Sequence, residues 1–259
     1  MTRPPLLSLA EAQARLLALA TPLPIQRVDT EKALGHYLAE PVLARRTQPS
    51  AHLSAMDGYA VRHDDLVGPW RVIGESAAGH PFDGQIGLGE TVRISTGAIM
   101  PDTADAVILQ EDVSCDDSIV TLTCDAPSPF HKHTRSRGMD FTEGAEIIAA
   151  GTLIGPAQLA LAISAGHKQL SIRSAPRLLV IDSGDELAAD LETCGPNQIP
   201  ASNGAMLAAM ARTMTPHVMR LGPVPDTLDD LLAVLNQGQD ADIIVTSGGA
   251  SVGDHDLVK

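Results

Sequence analysis

Four acidic residues fall where a parallel sheet would gather them. Asp185 and Glu186 follow a β-branched run at Leu178–Ile181, Asp226 follows a second run at Val218–Leu221, and Asp256 lies past a third at Ile243–Thr246. Carboxylates collected at three strand ends and turned toward a phosphate repel it unless a hard cation intervenes, and Mg²⁺ bridges oxygens of both kinds. Asp226 has a simpler use as well. It stands just before a helical pattern at 227–236, where a carboxylate is favoured for stability alone, and spacing by itself favours that capping role. The loop Ser247-Gly248-Gly249-Ala250-Ser251-Val252-Gly253 holds three glycines and two hydroxyls in seven residues. Successive N–H groups of such a loop can cradle an anion, although a plain glycine-rich turn reads equally well. The Gly-x-x-x-x-Gly-Lys-Ser/Thr spacing is missing, which excludes P-loop chemistry.

The densest basic segment is His131-Lys132-His133-Thr134-Arg135-Ser136-Arg137-Gly138. Arg135 and Arg137 could fork onto an anionic ligand; unaided, a solvated loop explains the segment better. His131 and His133 have no third ligand nearby in sequence, a weak signal for a metal. No paired nucleophile constellation is found: Gly184-Asp185-Glu186 offers acid groups without a paired nucleophile.

The elements that must carry these residues change character along the chain. Ser8-Leu9-Ala10-Glu11 is a capping box opening a helix from about Leu9 to Ala20, and a second helix is expected near Glu31–Glu40. From about 46 to 144, short β-branched runs (Trp70–Ile73, Thr91–Ser95, Ala106–Leu109, Ile119–Thr123) alternate with Gly, Asp and Pro clusters, the pattern of a small β-rich unit. Residues 153–166 read as a helix with Pro near its start and Gly166 at its end. After Pro176 the strands at 178–181, 218–221 and 243–246 alternate with helices at 204–213 and 227–236, a βαβαβ pattern and hence a parallel sheet. The fold class is therefore α/β and multidomain: a helical/β split domain, an inserted β-rich domain and a parallel-sheet domain that stops early, since Lys259 follows its third strand and loop directly.

Composition narrows the function. The chain of 259 residues is 44% hydrophobic, and its 18 basic against 32 acidic residues give a formal charge of −14. A field of that sign disfavours nucleic acid and acidic membrane surfaces, so an anionic ligand needs a local basic site. Six aromatics (Trp70, Tyr37, Tyr59, Phe82, Phe130, Phe141) are too few for single-strand stacking platforms. Cys115, Cys124 and Cys194 are too scattered for a disulfide framework and fit reduced thiols in a cytoplasmic protein. No apolar run reaches the ~18–20 residues of a membrane span. Ala18-Leu19-Ala20 looks like a signal cleavage site, but only Leu16 and Leu17 separate it from Arg15, where a signal needs ~7–15 apolar residues.

Five motifs occur in one order: Ser54-Ala55-Met56-Asp57-Gly58-Tyr59-Ala60-Val61, Arg93-Ile94-Ser95-Thr96-Gly97-Ala98, Arg135-Ser136-Arg137-Gly138-Met139-Asp140, Ser183-Gly184-Asp185-Glu186-Leu187 and the Ser247–Gly253 loop. Together they resemble the molybdopterin molybdenumtransferase family (MoeA and the E domain of gephyrin), over about residues 6–259. The resemblance implies insertion of molybdate into adenylylated molybdopterin with release of AMP, assisted by Mg²⁺. It implies a homodimer whose active site is shared between subunits, with molybdopterin adenylyltransferase as the upstream partner. It also implies a split first domain (6–45 plus 145–174), an inserted β-rich domain (46–144) and a molybdopterin-binding α/β domain (175–259).

Carried over by motif, Asp57, Asp226 and Asp256 would be catalytic. Thr96, Arg135, Arg137, Asp140, Ser247, Gly248, Gly249 and Ser251 would bind substrate, and Asp185, Glu186 and Asp226 would hold the metal. Three departures stand against the family pattern. Pro200-Ala201-Ser202-Asn203 replaces the usual Tyr-Asp-Ser/Thr-Asn, and Ser183 stands where Thr is commoner. The Lys-Pro-Gly-Lys-Pro and Leu-Pro-Gly-Asn-Pro segments and the C-terminal β-barrel would all lie beyond Lys259. Two alternatives therefore accompany this reading: a catalytically impaired dimeric scaffold, and a molybdopterin adenylyltransferase-like protein, for which the first 175 residues have no place.

Overall fold

A computed structural model describes residues 7–190 and 192–248. The chain divides into two compact units at Gln26/Arg27 and Ser171/Ile172. In chain order the first element is helix α1 (Leu9–Leu19). The Ser8 hydroxyl accepts the Glu11 N–H at 3.3 Å, while the Glu11 carboxylate takes Arg15 at 2.6 Å. Half of the expected box is thus exchanged for an i,i+4 ion pair.

In the unit 27–171, the helix expected at 31–40 is a single 3₁₀ turn, Thr30–Ala33, followed by Gly35 at φ +79°. The Thr30 hydroxyl anchors this turn by donating to the His167 carbonyl at 2.8 Å, and tertiary bonds claim backbone groups a helix would use: the Leu38 N–H donates to the Thr152 carbonyl at 3.0 Å and the Ala39 N–H to the Ser171 carbonyl at 2.9 Å. The β-rich core is one six-stranded sheet of β1 (Gly58–Val61), β2 (Trp70–Ser76), β3 (Glu90–Ile94), β4 (Ala106–Leu109), β5 (Val113–Asp116) and β6 (Ile119–Leu122), in the order β4-β1-β3-β2-β6-β5. Only β2 and β3 pair in parallel. Alternation along β1 sends Tyr59 and Val61 into a cluster with Trp70, Ile108 and Val120, and Ala60 into another with Ile86, Val92 and Ile94. Both faces are covered, so all four residues of β1 are buried. β1 and β5 are not among the runs expected from the sequence. Helix α2 (Pro156–Ser164) buries Ala162.

The other unit is built on a parallel sheet: β7 (Leu178–Ser183), β8 (Val218–Val224) and β9 (Ile243–Ser247), in the order β8-β7-β9. Helix α3 (Ser202–Arg212) leads from β7 to β8, and α4 (Leu228–Gln237) from β8 to β9. Leu179 and Ile181 pack with Val224 of β8 and Leu231 of α4. Because β7, first in sequence, lies in the middle, the strand order reverses there and opens a crevice at its carboxyl end, where ligands of parallel sheets bind. The multidomain α/β class expected from the sequence is the class observed.

Candidate functional site

At the carboxyl end of the parallel sheet, Asp182 of β7 stands level with Ser247 of β9. Asp185 and Asp226, from the loops after β7 and β8, meet here: the Asp226 N–H donates to Asp185 Oδ1 at 3.1 Å. The cap of α4 is Thr227, whose hydroxyl accepts the Asp230 N–H at 3.2 Å. Asp226 is therefore not the capping residue, and its carboxylate is left to other uses. Glu186 is exposed beside them. A cavity of about 190 Å³ opens between Asp182, Ser183, Glu186, the Ser202–Asn203 turn and Ser247–Gly248. Gly248 adopts φ +96°, with its Cα against the Ser183 carbonyl, a place without room for a side chain. Gly249, Ser251 and Asp256 lie outside the described residues.

Among the described residues, no three His, Cys, Asp or Glu side chains form a ready metal cage. Mg²⁺ does not require one. It keeps several waters and binds through one or two carboxylates plus substrate phosphates, and the oxygen donors of Asp185 and Asp226 suit that mode.

Asp182 is missed by motif reading. It is fully buried, with Arg220 Nε and Nη2 donating to its Oδ2 at 3.2 and 3.0 Å. Arg220 Nη2 also donates to the Ala201 carbonyl at 2.9 Å, which pins the turn before α3. The legible signal was an acid continuing the apolar run Leu178–Ile181, hence inside a strand.

In the unit 27–171, Asp57 and Thr96 come together. Asp57 Oδ1 accepts the Thr96 N–H at 2.6 Å and its hydroxyl at 2.9 Å. These two bonds, backbone first, hold the Asp57 carboxyl below its usual range, with a smaller contribution from nearby Arg93. Thr96→Val should therefore raise the Asp57 pKa toward its ordinary value, read by NMR titration of the carboxyl carbon. A pKa that stays low would mean the hydroxyl has no part in setting it. The linkage sign follows. The depressed pKa adds stability that is present above the ordinary value of about 3.9 and is lost as pH falls through the lower folded value.

Gly58, next to Asp57, lies so close to the Ile108 carbonyl of β4 that a Cβ would overlap it. Gly58→Ala should cost about 1–3 kcal/mol by overpacking, measured by urea unfolding; an unchanged midpoint would contradict the contact.

Arg93 places Nη1 3.4 Å from the Tyr59 hydroxyl, which sits 3.1 Å from Cys115 Sγ. Neither Arg93 nor Tyr59 was singled out from sequence as a site residue, although both lie inside the quoted motifs. Arg135 and Asp140 also meet, at 3.4 Å, both well exposed. Arg137 stands apart from them, donating from Nε to the Ser50 carbonyl at 3.1 Å and lining a cavity of about 520 Å³ with His52 and His131.

A parallel sheet with acidic strand ends, and a β-rich unit with an Asp–Thr pair where two adjacent inner strands end, define a multidomain α/β protein. Residues 7–166 match the family described as MoeA N-terminal region (domain I and II), and residues 179–259 match the family described as probable molybdopterin binding domain. The chain belongs to the MoeA family. It is 31% identical over 257 residues to a molybdopterin molybdenumtransferase of Staphylococcus aureus, covering 96% of this chain and 61% of that protein. It is likewise 31% identical over 258 residues to one of Haemophilus influenzae, covering 98% and 64%. The crystal structure of a molybdopterin biosynthesis MoeA protein from Pyrococcus horikoshii superposes with a TM-score of 0.77 at 28% identity, over 95% of this chain and 64% of that one. The chain thus spans less than two thirds of the length of these relatives. Among the described residues, no helix is long and apolar enough to cross a membrane.

Proposed function

We propose that this protein acts in molybdenum cofactor biosynthesis, inserting molybdate into adenylylated molybdopterin with release of AMP, in the cytoplasm. The observation that carries the reading is the meeting of the Asp226 N–H with the Asp185 carboxylate in the loops at the sheet's carboxyl end. In this reading Ser247, Gly248, Gly249 and Ser251 hold the substrate, and Asp57, Asp226 and Asp256 orient water and molybdate at the phosphoanhydride. Thr96, Arg135, Arg137 and Asp140 bind from the β-rich side, where the guanidinium groups supply the local positive charge that an acidic protein otherwise denies an anion. Mg²⁺, held by Asp185 and Asp226 with Glu186 beside them, would neutralise phosphate charge. The active unit is a homodimer that shares its site between subunits and receives its substrate from molybdopterin adenylyltransferase.

The test is AMP release by the 259-residue chain. Release should require both molybdate and Mg²⁺ and should fall about 10²-fold or more in Asp226→Ala, the scale of losing a positioned acid or base. No release, with adenylylated molybdopterin still bound, would instead make the chain a binding protein.

A further inference from the structure

Asp57 is held from two sides. Its Oδ1 accepts the Thr96 N–H and hydroxyl beyond the end of β3, and its carbonyl accepts the Gln110 N–H, 3.2 Å away, beyond the end of β4. One side chain joins these two supports. Arg93 stands opposite Tyr59 in the β1–β3 pairing, and its guanidinium lies over the Tyr59 ring, 5.8 Å from the centroid. From there Nη1 donates to the Tyr59 hydroxyl and Nη2 to Gln110 Oε1, each at 3.4 Å. The contacts form a closed circuit: from Asp57 to Gln110, from Gln110 to Arg93, along β3 to Thr96, and back to Asp57. Each bond to Arg93 is long and weak alone, but the guanidinium is a rigid fork, so its two donors fix Tyr59 and Gln110 relative to each other.

The charge on this fork is not spent on its own bonds. Both partners are neutral, and among the described residues Arg93 belongs to no ion pair. The Gln110 amide keeps it so: its oxygen faces Arg93 while its NH₂ donates to Glu111 Oε1 at 3.2 Å, which places a neutral group between the two charges. The Tyr59 oxygen accepts from Arg93, leaving its own proton for Cys115 Sγ at 3.1 Å. The guanidinium is thus held in place with its charge left to act on Asp57, whose ionised form it favours. Asp57 Oδ2 accepts no bond among the described residues, and it is the oxygen that this arrangement leaves available.

We propose that Arg93 is a positioning residue for the reaction: it closes this circuit and holds Asp57 ionised, leaving Oδ2 for substrate. The inference rests on the molybdopterin reading above, but its first test reads Asp57 itself and not turnover. The Asp57 carboxyl carbon is titrated by NMR in the full chain, in Arg93→Gln and in Arg93→Lys. Glutamine removes the charge, so Asp57 should titrate at higher pH. Lysine keeps a charge over Tyr59 and should restore most of the original behaviour. The second test is AMP release. Arg93→Gln should lower kcat about tenfold, short of the about 10²-fold for losing an acid or base itself, with KM for adenylylated molybdopterin nearly unchanged. Its acid limb should move up in pH together with the Asp57 titration, because a carboxylate that takes its proton more readily is lost earlier as pH falls. Circular dichroism confirms the fold; if Arg93→Gln does not fold, Arg93→Met, which keeps an apolar stem over Tyr59, takes its place. An Asp57 titration unmoved in Arg93→Gln, or moved equally by glutamine and lysine, would overturn the proposal. So would a rise in KM alone, which would make Arg93 a substrate contact. If no variant and no unmodified chain releases AMP while the titrations come out as expected, the proposed reaction falls and the hold of Arg93 on Asp57 stands.

Discussion

Arg220→Met is expected to lower the stability of the parallel-sheet unit by about 3 kcal/mol, the low end for breaking a buried ion pair because Arg220 is partly exposed. The reason lies less in the lost attraction than in what stays behind. Asp182, only 1% exposed at its side chain, would keep a buried charge with neither oxygen partnered. The turn at Ala201 would lose its guanidinium tie as well. Asp182→Leu combined with Arg220→Met removes both charges, so the double variant should recover most of the loss. Urea unfolding followed by far-UV circular dichroism measures both. A double variant as unstable as the single one would mean the pair is not the source of the cost. Trp70 is the only tryptophan and lies in the other unit, so its fluorescence serves as the internal control and should not move.

Trp70→Ala should cost the β-rich unit about 3–5 kcal/mol, the range for removing a large aromatic from a packed core. Trp70 is fully buried between Tyr59, Val61, Ala106, Ile108 and Val120, and its ring Nε1 donates to the Asp65 carbonyl at 2.8 Å. Trp70→Phe keeps most of the apolar filling and loses that bond, so its cost should be nearer 1 kcal/mol plus a small cavity contribution. Calorimetry of the two variants gives the comparison. If alanine costs no more than phenylalanine, the ring is not what fills this core.

Local pattern made the parallel-sheet unit legible. Leu178–Ile181, Val218–Leu221 and Ile243–Thr246 are apolar runs separated by helical periodicity, and each forms a strand, extended at its carboxyl end by two, three and one residues respectively. The helix expected at 31–40 fails for a non-local reason. Thr30 and Leu38 bond to His167 and Thr152, far along the chain, and no window of sequence contains those partners. The candidate site divides the same way. Asp57 and Thr96 belong to separate motifs, and only the β1–β3 register, with Gly58 opposite Ile94, makes them neighbours. Asp226 reads as a helix cap because it stands just before the helical pattern, but Thr227 after it caps equally well, and the structure uses the threonine. Asp182 belongs to no motif, and only its place at the end of a buried strand and the arrival of Arg220 from β8 give it meaning.

The central place of β7 bears on synthesis. Its Leu-Leu-Val-Ile run leaves the ribosome before either of its neighbours exists, and both β8 and β9 must cross a helix to reach it. The hairpin of β5 and β6, by contrast, can close on itself within a few residues. Until α3 and β8 have been made, β7 is an apolar, β-prone segment with two bare edges, the kind that pairs with another nascent chain. Growth conditions that slow elongation between residues 184 and 218 should therefore shift yield from soluble to aggregated protein, while leaving the finished molecule unchanged.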